Sequence, residues 1–391
     1  MKPRMLVKAG LLAMLLPVLA IAQDVVKVGI VAPFSGQFAV YGQQFQRGAE
    51  LYLEEIGGRA GNTKIELIFR DESGGPERVR QVTQELIVRD GAQILGGYVF
   101  TPSALAIAPL ITQSKMPTVI FNAATGMITR RSPYFARVSH TQWAGAGTIA
   151  EWAAKNGVKE AYVAVSDYAP GHDARDGFKA IFTKMGGKIA GEVNIPLQTT
   201  DFGPFMQRIR DAKAGAVYVF MPVGAPSVSF VKTFVSYGLA KDGVKLLGTG
   251  ETDELDLAAI GEQALGMITS YHYSPYLDSP ENKRYVAAFK KKYGAAAMTN
   301  FASTAAYDGM HAIADVVVKL GSKLDGDKAM DVLKGWKAAS PRGPIQIDPV
   351  ERDIIQTQYI RRVQKVADGM GNIAFDKFDA VKDPWKALNP P

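Results

Sequence analysis

Short, almost wholly apolar segments alternate with longer amphipathic ones along nearly the entire chain, and this alternation leaves few folds open. Val25–Pro33 is close to continuously apolar, as a strand covered on both sheet faces must be. The segment that follows carries Phe45, Ala49, Tyr52, Leu53 and Ile56 on one helical face and stops at Gly57-Gly58. Lys64–Arg70 reads as a second strand, and Pro76–Asp90 as a helix opened by proline and closed by Gly91. Ala92–Phe100, Pro102–Ser114 and Pro117–Asn122 continue as strand, helix, strand. The rhythm then repeats. Gln142–Asn156 reads as a helix, Ala161–Ser166 as a strand and Asp173–Met185 as a helix ending at Gly186-Gly187. Lys188–Ile195, Ala216–Met221, Lys245–Gly248 and Met267–Tyr271 are further strands. Helices are expected at Glu281–Tyr293 and Thr304–Lys319, and a strand hairpin from Arg342–Asp348 and Ile354–Val366, turning at Asp348-Pro349. The pattern predicts an α/β fold in two Rossmann-like halves with parallel sheets. No low-complexity linker separates them, and the boundary near Val138–Gln142 is a short crossover, so relative motion would be a hinge.

The N-terminus narrows the compartment. Lys2, Arg4 and Lys8 precede an apolar run from Ala9 to Ile21, and Ala20-Ile21-Ala22 supplies small residues before Gln23. Basic segment, short apolar segment and small-x-small site make a secretory signal, cleaved near Ala22/Gln23, so periplasmic export is expected. The run is too short to span a bilayer, and no other stretch approaches that length, so no direct membrane insertion is expected. The chain has 391 residues, and what remains after the leader is longer than one core usually organises. The formal charge of +7 includes the three leader cations, and the rest is dispersed without the basic stripe nucleic acid would need. Cysteine is absent, which excludes disulfides, thiol catalysis, Cys-ligated metals and a lipoprotein anchor.

Catalytic constellations are missing from the sequence. The four histidines are His140, His172, His272 and His311; none pairs with another at metal-ligand spacing, and each reads as a surface or hydrogen-bonded side chain. There is no HExxH, GxSxG elbow or P-loop, and Gly248-Thr249-Gly250 lacks the rest of a dinucleotide fingerprint. Glu54-Glu55 falls on a solvated helix face. No enzyme activity, metal or cofactor is expected.

Binding equipment is present instead. In open parallel sheets, ligands sit beyond the C-terminal strand ends. The first strand runs into Pro33-Phe34-Ser35-Gly36 through Tyr41-Gly42, mixing aromatics with small polar residues. The third ends at Tyr98-Val99-Phe100, before Thr101-Pro102-Ser103. There Thr101 suits a helix N-cap and Pro102 the first helical position, leaving the N–H of Ser103 for an anion. The fourth ends at Phe121-Asn122-Ala123-Ala124-Thr125-Gly126, where small residues allow close backbone approach. Asp167-Tyr168 and Gly250-Glu251 occupy matching strand ends in the second half. Together these describe an aromatic-rimmed cleft with donors for one carboxylate.

Val28-Gly29-Ile30 through Pro33, Ser35-Gly36, Tyr41-Gly42 and Arg47-Gly48-Ala49-Glu50 resemble the start of the leucine/isoleucine/valine-binding proteins, periplasmic solute receptors of ATP-driven importers. The resemblance continues through Asp71-Glu72-Ser73, Asn122-Ala123-Ala124-Thr125, Ser166-Asp167-Tyr168, Asp201-Phe202 and Tyr307-Asp308-Gly309, covering essentially the whole chain beyond the leader. It rests on the order and spacing of these motifs. It implies the type I fold of periplasmic binding proteins, two lobes joined by three crossovers that close on a ligand. The lobes would be 23–140 plus 271–346 and 141–270 plus 347–391, with crossovers near Val138–Gln142, Thr269–Tyr271 and Ile345–Ile347.

By the same resemblance, Tyr41 lines the pocket, and the Ala123 backbone and Thr125 hydroxyl hold the headgroup. Phe100, Thr101, Ser103, Ala124, Tyr168, Gly250 and Glu251 complete the expected site, with Gln142 a further polar position near the hinge. Where the amino-acid binders carry Ser, this chain carries Phe100. The acidic residue that meets an ammonium falls at Gly250 or Glu251. Phe100 suits a stacked ring, as in relatives that bind aromatic carboxylates. The expected partners are a small carboxylate, aromatic or branched-chain amino acid, and a membrane permease. A sensor of the same fold feeding a signalling partner is the alternative.

Overall fold

The computed structural model describes residues 24–73, 75–367 and 369–390. The expected leader and its cleavage site lie outside the described residues. Val25–Ala32 is the organising strand of the first sheet, pairing in parallel with Thr63–Asp71 on one side and Ile94–Gly97 on the other. Its last five residues are buried, which is why they read as an unbroken apolar run. The sheet continues through Thr118–Ile120 to Phe135–Arg137, and Arg59–Ala60 adds a short antiparallel edge.

The second sheet runs Lys188–Ile195, Glu160–Ser166, Ala216–Phe220, Lys245–Gly248 and Ile268–Tyr271 in parallel, then turns antiparallel at Ile354–Val366. The hairpin expected from the tail is present as Gly343–Ile347 against Ile354–Val366. Two strands of this sheet were not legible in the sequence, Lys337–Ser340 beside Gly343–Ile347 and Gly369–Val381 along Ile354–Val366, as Arg59–Ala60 and Phe135–Arg137 were not in the first. Hydrogen bonds therefore tie Lys337–Ser340 and Gly343–Ile347 to the second sheet, although Ile345 and Ile347 pack into the core of the first.

Helices cover both sheets. Ala39–Glu55 packs on Phe301–Leu320, and a Cβ on Gly48 would stand 2.0 Å from the Ser303 carbonyl oxygen, so only glycine permits this approach. Gln142–Lys155 lies against Ala169–Lys184 in the second half. The helix after Ile94–Gly97 runs Thr101–Ser114, with Phe100 at the N-cap. Thr101 is thus the first helical residue, not the cap. Its hydroxyl is held by the Thr125 hydroxyl at 2.7 Å, so it does not turn back to cap the helix. The chain leaves the first sheet at 138–141, leaves the second after Ile268–Tyr271 for helices that pack into the first core, and returns to the second sheet at Lys337–Ser340, ahead of the expected third crossover near Ile345–Ile347.

Candidate functional site

A narrow cavity lies where the C-terminal strand ends of the two sheets face each other. The first half contributes Tyr41, Val99–Thr101, Asn122 and Ala124; the second contributes Tyr168, Pro170, 220–223, Thr249 and Gly250. His140, Gln142 and Tyr271 come from the crossovers and their flanks, and Phe301 from the start of the long helix. The backbone bends sharply into this wall. Tyr98 holds φ at 64°, a left-handed value unusual for a bulky residue, which turns Val99 and Phe100 toward the cavity. Its phenol is anchored by the Thr83 hydroxyl at 3.1 Å, and its carbonyl accepts the Ala123 N–H at 3.0 Å. On the opposite side, a Cβ on Gly171 would sit 1.8 Å from the Ser166 carbonyl oxygen, so glycine lets the helix Ala169–Lys184 start tight against its strand.

Of the residues expected from sequence, Tyr41, Phe100, Thr101, Ala124, Tyr168 and Gly250 line the cavity, as does Gln142. Ser103, Ala123, Thr125 and Glu251 stand behind the lining. Thr125 reaches the cavity only through Thr101. Glu251 is fully buried and folded into its own turn, where Oε1 accepts the Met221 N–H at 3.0 Å and Oε2 the Thr249 N–H at 2.5 Å. Burial pushes its carboxyl up to about 7 despite those bonds. Phe34 packs on Phe69, away from the lining. His140, Tyr271, Phe220 and Phe301 were not anticipated. Phe301 does follow a capping signature, Asn300 with Ser303, that marks a helix start.

Among the described residues, no Asp, Glu, Lys or Arg side chain lines the cavity. Two helices begin at its walls, Thr101–Ser114 behind Phe100 and Ala169–Lys184 behind Tyr168. Neither aromatic N-cap can cap its helix through a side chain, so first-turn N–H groups and the positive ends of two dipoles approach from opposite halves. Burial raises the phenols of Tyr41, Tyr168 and Tyr271, keeping them neutral donors.

The histidines divide into two kinds. His172 pairs with Asp167 at 2.8 Å and His311 lies near Asp315, as a plain surface reading expects. His140 and His272 depart from it. Both are buried, and their rings stack at 5.0 Å with 18° between planes. Burial, then Arg137 and Arg342, brings His140 down to about 3; burial and its neighbours lower His272 as well.

Buried arginines hold the framework. Arg137 grips Asp353 with two bonds of 2.8 and 2.6 Å and donates to the carbonyls of Ala123 and Thr125 at 2.8 and 2.9 Å. Arg342 bonds Asp308 at 2.8 Å and the carbonyls of Val138 and Ser139, fixing the first crossover. Across the cleft, the Gly126 N–H donates to the Asp173 carboxylate at 2.8 Å, and the Asn300 amide to Asp253 at 3.1 Å.

A family model for periplasmic binding proteins matches residues 25–369. A Leu/Ile/Val-binding protein homologue of Brucella melitensis is 43% identical over 364 residues, covering 92% of this chain and 93% of that one. The solute-binding protein of an ABC transporter from Rhodopseudomonas palustris BisB5, solved with 3,4-dihydroxybenzoic acid, is 44% identical with a TM-score of 0.89, covering 93% of this chain and 99% of its own. Another from Rhodopseudomonas palustris, solved with 4-hydroxybenzoate, is 40% identical with a TM-score of 0.90, covering 94% and 100%.

Proposed function

The chain belongs to the periplasmic binding protein family, and from that premise we propose that it is the exported receptor of an ATP-driven importer, closing on a small aromatic carboxylate. The observation that carries this reading is the lining: aromatic rings from both halves, two helix N-termini without side-chain caps, and no acidic group among the described residues. A carboxylate finds N–H donors and two positive dipole ends. An ammonium would be buried without a counter-charge, because Glu251 is committed to the Met221 and Thr249 amides. Two similar structures were solved with hydroxybenzoates bound, which supports the aromatic class over branched-chain amino acids. Phe100, Tyr41, Tyr168 and Tyr271 then supply the apolar faces for the ring, and Thr101 with Ala124 and Gly250 the polar edge. Ser103, Ala123, Thr125 and Glu251 act from behind by holding these groups in place. The role is solute capture, with delivery to a permease.

Calorimetry of 4-hydroxybenzoate against leucine tests the reading. The aromatic acid binds, and Thr101→Val weakens it roughly ten- to a hundredfold, the worth of a hydrogen bond to a charged group. Thr125→Val, one bond removed, has the smaller effect. Tight leucine binding with no aromatic binding would overturn the assignment.

The two lobes, delimited as the resemblance implies, move as rigid bodies about the crossovers. Asp173 and Gly126 meet across the cleft, so their bond contributes to the closed state. Small-angle scattering is expected to show contraction when the aromatic acid saturates the protein. Asp173→Ala should reduce both the contraction and the affinity, the latter by about tenfold. An unchanged radius of gyration with bound ligand would argue against hinge closure.

A further inference from the structure

His140 is unusual for a buried polar side chain. It lines the cavity at 4% exposure, and its Nδ1 is buried with no hydrogen-bond partner among the described residues. Buried polar groups are nearly always satisfied, so an orphan facing a cavity asks for a partner that enters with the ligand. The ring is not free to turn away. It is stacked on His272 and held edge-on by Tyr271 at 5.4 Å and Phe301 at 6.1 Å. Beside it, Gln142 also lines the cavity, and its Oε1 is buried without a partner. Both residues belong to the crossover and the helix start behind it, whereas the two helix N-termini begin at Phe100 and Tyr168.

The chemistry of this wall is selective. A neutral imidazole has one acceptor nitrogen and one N–H, and an amide oxygen only accepts. Burial, with the positive charges of Arg137 and Arg342 behind the crossover, keeps the imidazole uncharged, so it is not a counter-ion for a carboxylate. What it can receive is a neutral O–H. We infer that His140 is a specificity-determining residue that accepts the ring hydroxyl of a phenolic acid, with Gln142 beside it, so that the receptor prefers hydroxylated benzoates to benzoate. This rests on the aromatic-carboxylate reading and adds to it a residue that separates members of that class. His272 has a positioning role: its ring presses on His140 and fixes the orientation of the acceptor.

Calorimetry with benzoate and 4-hydroxybenzoate tests it. The unmodified protein is expected to bind 4-hydroxybenzoate about three- to tenfold more tightly than benzoate, one satisfied hydrogen bond's worth. His140→Phe keeps the stack on His272 and removes both nitrogens; it should bring the ratio close to one by costing 4-hydroxybenzoate more affinity than it costs benzoate. A second readout needs no variant. The His140 ring-nitrogen resonances of the unmodified protein should shift with 4-hydroxybenzoate and stay in place with benzoate. Equal affinity of the unmodified protein for both acids, or a variant that loses both equally, overturns the assignment of His140 and leaves the carboxylate reading standing. Failure of both acids to bind the unmodified protein overturns that reading, and this inference with it.

Discussion

Arg137→Met is expected to destabilise the protein by about 3–5 kcal/mol, the usual result of removing one partner from a buried ion pair. The guanidinium is fully buried and makes four bonds, two to Asp353 and one each to the carbonyls of Ala123 and Thr125. The cluster around it also contains Lys386, 3.6 Å from Asp353, and Asp383, whose carboxyl burial lifts to about 7. With Arg137 gone, one lysine faces two carboxyl groups in a dry setting, and two carbonyls lose their donor. Urea denaturation followed by fluorescence reads the loss. Arg137→Met combined with Asp353→Leu should recover a substantial part of it, because the stranded charge is removed too. A single variant within about 1 kcal/mol of the parent would show that the pair is replaceable by packing. The same substitution frees the backbone at 123–125, which faces the cavity through Ala124, so ligand affinity should fall even where the protein remains folded.

That connection marks the limit of what the sequence made legible. Strands buried on both faces, such as Val25–Ala32 and Ala216–Phe220, announce themselves as apolar runs. Helices stop at glycines with positive φ, as at Gly57 and Gly186. Gly369–Val381 gave no such signal. It pairs with a single neighbour, Ile354–Val366, and exposes Phe375, Asp376 and Lys377, so its alternation is weak. At the site, the strand ends were legible because parallel topology puts loops there, and Tyr41, Phe100, Thr101 and Tyr168 all reach the cavity. Glu251 was assigned to the cleft on position alone. Its real partners are amides at Met221 and Thr249, and no pattern in side-chain types reports where a backbone N–H will point. His140 and Phe301 lie far apart in the chain and meet only through the crossovers, so their pairing is a property of the fold.

The expected response to pH runs opposite to that of a protein held by surface carboxylates. Glu72 is buried behind the cavity wall; Oε1 accepts the Val99 N–H at 2.9 Å and Oε2 has no partner. Burial, with repulsion from Asp71 adding to it, outweighs the Val99 amide and the nearby Ser103 hydroxyl and places its carboxyl at about 8. In the unfolded chain the same group titrates near the ordinary carboxylate value. Between the two values the native state binds more protons than the unfolded state, so stability falls as pH rises. This contribution is intact below the unfolded value and is lost as pH climbs through about 8. Asp256, at about 8, and Glu254, at about 7, slope the same way, so the pH profile of the parent protein alone does not isolate Glu72. Glu72→Gln does. The amide oxygen still accepts from Val99, and nothing remains to ionise. At pH 5 the variant and parent should be nearly equal in stability. At pH 9 the variant should be the more stable, by an amount on the order of 4 kcal/mol at 1.36 kcal/mol per pKa unit. Urea midpoints at the two pH values measure the crossover. A variant that is less stable than the parent at pH 9 would mean that the buried carboxylate is stabilised by its charge, and that the cavity wall tolerates an anion where this structure offers it one N–H.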